Sequence, residues 1–160
     1  MPILTTSLFS NIIIMKTILL TLTLFALLFS ANATLAIEAE TPETLFVVLT
    51  SADAETQMMA LVLATQTMNQ DVAVRILLCG EAGNLALKDS ESPSFKPADR
   101  SPKQLLMGLI DRGAQAEVCG IFLPNRPHLS QDDLLENVGT ARPPEVAAFM
   151  RQENVRLFTF

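Results

Sequence analysis

Tryptophan and tyrosine are absent from the 160 residues, so the 6% aromatic content is phenylalanine alone. Histidine occurs once, as His128, and any catalytic arrangement that needs an imidazole must use it. Positive charge is also scarce. Eleven Lys and Arg against seventeen Asp and Glu leave a net charge of −6, and the basic residues do not cluster, which excludes a phosphate-neutralising face for nucleic acid. The lysine-bearing phosphate loop G-x-x-x-x-G-K-[ST], the dinucleotide fingerprint G-x-G-x-x-G and the hydrolase elbow G-x-S-x-G are all missing. "CGEAGNLAL" (79–87) therefore reads as a tight strand-to-loop turn and not as a nucleotide cradle. Two cysteines and one histidine show no paired metal-ligand spacing. A soft copper site would draw on Met58, Met59, Met68, Met107 and Met150, but these fall at helical spacing expected of core residues. No metal or other cofactor is expected, and no internal repeat is visible.

Aliphatic residues are abundant, and hydrophobic residues make up 49% of the chain. Part of that content is a targeting signal. Ile12 to Leu28 is almost wholly apolar, and "MKTILLTLTLFALLFSANA" (15–33) has a basic start, an apolar run and the small triplet Ala31-Asn32-Ala33. These are the three parts of a secretory signal peptide, with cleavage expected after Ala33 or, as second choice, Ala36. The alternative is an uncleaved membrane anchor, but Ile18 to Phe29 is short against the roughly 20 residues that cross a bilayer. Residues 1–14 read as an upstream extension, 15–33 as the core signal, 34–44 as a polar linker and 45–160 as one domain. A periplasmic or secreted location is expected, with no stable membrane anchor after cleavage.

Strand and helix patterns then alternate. "LFVVLT" (45–50) is a continuous apolar run suited to a parallel strand covered on both faces. Ser51 and Asp53 offer caps to a helix over "AETQMMALVLATQTMNQ" (54–70). "VAVRILLC" (72–79) is a second strand, and "KDSESPSFKPADRSP" (88–102) an exposed loop. Ser101 and Pro102 open a helix that stops at Gly113. "AQAEVCGIFL" (114–123) is expected as a third strand, Ser130 and its acidic neighbours as the start of a short helix, "ARPPEVAAFMRQ" (141–152) as a last helix and "VRLFTF" (155–160) as a last strand. The pattern predicts an α/β fold of three layers, a mostly parallel sheet with helices on both faces.

In such a sheet, binding and reactive groups gather at the C-terminal ends of the strands. Ser51, Asp53, Cys79 and Cys119 all fall there. In an oxidising compartment the first question for two cysteines is a disulfide, which needs Cα atoms within about 7 Å. Cys79 closes an apolar run and reads as core. Cys119 is followed by a glycine, two prolines, Arg126 and His128, and a nearby cation stabilises the thiolate that does nucleophilic chemistry. Packing remains the alternative for Cys119, and an ordinary surface position the alternative for His128.

The order of these segments resembles the DsrE/DsrF-like proteins, small α/β sulfur-relay and sulfurtransferase subunits. The likeness runs through "LFVVLTSADAETQMMALVLATQTM", "VRILLCGEAGNLAL", "EVCGIFLPNR" and the closing "VRLFTF". It implies that Cys119 corresponds to the relay cysteine after the third strand, which accepts sulfur as a persulfide. Arg126 and His128 would then support the thiolate. It also implies a homo-oligomer, a trimer or hexamer, that exchanges sulfur with a donor or acceptor protein. Export sets this chain apart, because the relay subunits of the family work in the cytoplasm. The expected function is binding or relay of sulfane sulfur on Cys119, with no claim on turnover. The alternatives are a non-catalytic oligomeric binding module with structural cysteines, and a Cys79/Cys119 redox switch.

Overall fold

A computed structural model describes residues 43–160. The expected signal and nearly all of the linker lie outside the described residues. Five strands form one wholly parallel sheet: β1 (Thr44–Leu49), β2 (Ala73–Leu78), β3 (Gln115–Val118), β4 (Val138–Thr140) and β5 (Val155–Thr159), in the order β4-β3-β2-β1-β5. Three α-helices connect them: α1 (Ala54–Met68), α2 (Pro102–Asp111) and α3 (Pro143–Phe149). The chain steps outward from β1 to β4, then returns through α3 to place β5 on the far side of β1. Among the described residues no helix is long and apolar enough to cross a membrane.

Side chains alternate across a strand, and here the two sets enter different cores. Leu45, Val47, Leu49, Val74, Ile76, Leu78, Ala116, Val118 and Val138 face one way, into a large core with α1 and α2. Phe46 and Leu77 face the other way, into a smaller cluster closed by Val146 and Phe149 of α3. Both faces of the sheet are therefore covered, which gives the three layers and explains why β1 reads as an unbroken apolar run and β2 as one interrupted only by Arg75.

Helix starts follow their caps. Asp53 accepts from the Thr56 amide at 2.8 Å and from its hydroxyl at 2.7 Å, and these hydrogen bonds hold its carboxyl below the usual value. Ser51 accepts from the Asp53 amide at 3.1 Å. Ser101 and Gln104 form a reciprocal capping box with Pro102 in the first turn of α2.

Three expectations change. The methionines are only partly core: Met68 packs against the large core and Met58 is half-buried, but Met59, Met107 and Met150 are exposed. The buried stripe of α1 is Gln57, Ala60, Leu61 and Ala64, because small alanines let the helix lie close on the sheet. The third strand ends at Val118, since Cys119 and Gly120 turn the chain and Phe122 donates its amide to the Cys119 carbonyl at 2.8 Å. The acidic segment forms only a 3-10 turn, Gln131–Asp133, and β4 follows it unforeseen.

The smaller core holds a buried ion pair. Arg75 donates from Nε and Nη2 to one oxygen of Glu117, at 2.9 and 2.6 Å, and the two side chains are only 10% and 13% exposed. The Arg75 guanidinium lies 4.5 Å from the ring centre of Phe149 and 5.6 Å from that of Phe46. These two rings meet edge to face at 5.3 Å. Phe149 thus seats α3 on a cation that Glu117 neutralises. Removing one partner strands a charge, so Arg75→Met is expected to cost about 3–5 kcal/mol, while Arg75→Met with Glu117→Leu recovers most of the loss. Urea unfolding of the three proteins measures both values.

Candidate functional site

Cys79 and Cys119 follow β2 and β3, and the register fixes where their sulfurs lie. Leu78 pairs with Val118 in the last rung of the β2/β3 ladder. The ladder then continues, with Cys119 N donating to Leu78 O at 2.8 Å and Cys79 N donating to Leu49 O at 2.9 Å. The cysteines are therefore next-rung neighbours, on the face opposite Leu78 and Val118, which is the α3 face. Neighbouring strands lie about 4.8 Å apart, inside the Cα range of a disulfide, and both thiols are free and half-buried.

The two thiols are neighbours across the ladder. Burial pushes the Cys79 thiol up from 9.0 to about 12, and both the hydrogen bond to Cys119 and the negative charge of a Cys119 thiolate push the same way. At neutral pH Cys79 therefore stays protonated, a weak S–H donor facing its neighbour's sulfur. Cys79 packs with Phe46, Leu77 and Ala141. Cys119 instead borders a groove of about 290 Å³ walled by Leu77, Ala141, Pro143, Val146, Ala147 and Met150, with Gly120 beside the thiol. Sequence reasoning missed this groove. Its signal was the four-residue spacing of Val146 and Met150 on α3.

Each cysteine precedes a glycine, and close packing explains one of them. A Cβ on Gly120 would stand 2.6 Å from the Ala141 carbonyl oxygen, so only glycine lets the turn after β3 meet the end of β4. Gly83 has a different constraint, because the ring of Phe122 occupies the space where its side chain would go. Arg126 covers that ring, with its guanidinium 4.1 Å from the centroid, and reaches Glu81 at 3.7 Å. The loops carrying the two thiols are thereby locked together through Gly83, Phe122, Arg126 and Glu81.

Arg126 is thus occupied with the loop, and no hydrogen bond or ion pair joins it to Cys119. His128 is exposed and its charge acts on Asp133, whose carboxyl is lowered first by hydrogen bonds from Ser130, with smaller contributions from Lys88 and His128. Ser51 and Asp53 serve the cap of α1. The structure brings together Cys79 and Cys119 and leaves Arg126 and His128 engaged elsewhere. Among the described residues no group of three or more His, Cys, Asp or Glu is placed to hold a metal ion.

No family model matches the chain, and no curated protein matches it. Among solved structures it is similar to the crystal structure of the ychN protein from E. coli, a protein of DsrE/DsrF-like fold. The superposition has a TM-score of 0.62 at 18% identity, and covers 75% of this chain and 100% of that one. The protein accordingly has an α/β fold built on a five-stranded parallel sheet, matching a DsrE-like neighbour.

Proposed function

We propose that the protein carries sulfane sulfur as a persulfide on Cys119, in an exported and homo-oligomeric form. The observation that carries this reading is the thiol pair at the C-terminal pole of the sheet: one sulfur borders an open groove and a protonated thiol stands against it as donor. The exposed Leu157 and Phe158 on the edge strand β5 favour association with further copies.

In the proposed cycle the Cys119 thiolate attacks the outer sulfur of a donor. The donor's S–S bond breaks, the remainder leaves with the bonding pair, and Cys119–S–SH forms. An acceptor thiolate then attacks that outer sulfur, and the Cys119 thiolate returns. Cys79 has a supporting role. Its S–H steadies the negative charge on Cys119 both before attack and on release, the task that Arg126 and His128 were expected to perform. A thiol held protonated to about 12 is a poor nucleophile, because the thiolate is the reactive species. Together with the opening of Cys119, and not Cys79, onto the groove, that favours Cys119 as the sulfur carrier. The same adjacency favours a second reading, closure of a Cys79–Cys119 disulfide under oxidation, which isolation without reductant would reveal as loss of both free thiols.

Incubation with a sulfane-sulfur donor is expected to add the mass of one sulfur to the wild-type protein and to Cys79→Ala, and none to Cys119→Ser. Mass spectrometry of the intact chain reads the result, and an unmodified Cys119 under every donor overturns the proposal. Alkylation of Cys119 at neutral pH should slow in Cys79→Ala and recover toward wild type in Cys79→Ser, whose hydroxyl restores a donor. Alkaline titration checks the pair from the other side. The native state keeps the Cys79 proton that the unfolded chain gives up near 9.0, so the stabilisation from Cys79 is whole below 9.0 and is lost as pH rises toward 12. Wild type should lose more stability across that window than Cys79→Ala, as measured by urea midpoints at successive pH values.

A further inference from the structure

The groove at Cys119 has an unusual composition for a site that would receive sulfur from an inorganic anion. No charged side chain lines it, and its walls are almost entirely carbon. Beneath it, Arg75 is held by Glu117 at 2.6 Å, and at its edge Arg142 pairs with Glu145 at 2.7 Å. Thiosulfate entering here would give up hydration and meet no counter-charge in the walls. A neutral molecule with a hydrocarbon group would instead bury apolar surface against Leu77, Val146 and Ala147. At about 290 Å³ the groove has the size of a small organic ligand. Met150 stands exposed at its margin, and its unbranched thioether adapts to varied apolar shapes.

We infer that the donor for Cys119 is the neutral hydropersulfide of an apolar organic thiol, R–S–SH, with R lying in the groove along α3. This inference rests on the persulfide reading above and narrows its substrate. The Cys119 thiolate bonds to the outer sulfur of R–S–SH. The sulfur–sulfur bond of the donor breaks, and R–S⁻ departs with the electron pair and takes a proton from water. The outer sulfur keeps its hydrogen, so Cys119–S–SH forms with no external oxidant or reductant. The selectivity lies in the wall that receives R, because the reacting sulfur is common to every donor.

The test compares benzyl hydropersulfide with thiosulfate, following the gain of one sulfur on Cys119 by mass spectrometry. Each rate is divided by the rate of the same donor with the urea-unfolded chain, which removes intrinsic reactivity. The normalised rate for benzyl hydropersulfide should exceed that for thiosulfate by about tenfold. Ala147→Lys, at an exposed position of the groove wall, should shrink that ratio by slowing the benzyl donor and speeding thiosulfate. Equal rates, or a faster thiosulfate reaction, with sulfur still added to Cys119 overturn the donor assignment and leave the persulfide reading standing. Failure of both donors to add sulfur to Cys119 overturns both readings. Protection of Cys119 from N-benzyl iodoacetamide in protein that elutes as an oligomer also overturns the donor assignment, and gives the groove to a second copy.

Discussion

The seating of α3 on the sheet is the constraint on which the site depends. The helix has seven residues, too few to be stable alone, and what fixes it is contact with the sheet beneath. Phe149 lies on the Arg75 guanidinium and meets Phe46 edge to face, while Val146 completes the same cluster. Arg75 can sit under an aromatic ring only because Glu117, one strand away, neutralises it on the same buried face. Without that pair the face would hold an uncompensated cation, and the wall of the groove would lose its footing. The chemistry proposed for Cys119 therefore depends on an ion pair two residues before it on the same face of the sheet.

A second set of contacts brings the thiols to a common position. Register between β2 and β3 puts the cysteines on one rung, and the packing of Phe122 on Gly83 keeps the two following loops in step. Arg126 closes this arrangement from outside by covering the same ring and pairing with Glu81. Its charge is spent on the loop's shape. The group left to steady a negative sulfur is an uncharged one, the neighbouring thiol. Such a donor responds to the state of its partner, since its own proton is held more tightly when the neighbour is anionic.

The sequence reveals what local pattern controls. β1 is legible as a continuous apolar run and β2 as an aliphatic one broken only by Arg75, because both of their faces are covered, and α2 is legible because Ser101 and Pro102 announce its start. β4 is not, since three residues at an edge, one of them Gly139, carry no periodicity. The third strand reads too long because Ile121, Phe122 and Leu123 are apolar, yet Phe122 is buried from a turn and Ile121 is exposed. Proximity in sequence also misleads about the site. Arg126 and His128 follow Cys119 closely, but the turn after Val118 carries them toward Glu81 and Asp133. Cys79 is distant along the chain and adjacent in space, and only strand pairing can show that.

Uniform strand direction gives the domain two unlike poles. Glu43 precedes β1 and pairs with Arg156 at the start of β5, so the polypeptide enters the sheet at the pole where every strand begins. Both cysteines lie at the other, where the carbonyl of Phe160 is also fastened to Thr50 by its amide at 2.7 Å and its hydroxyl at 2.9 Å. A support coupled ahead of β1 would present the reactive end outward, whereas a fusion appended after Phe160 would emerge alongside it and crowd the approach of any visiting molecule.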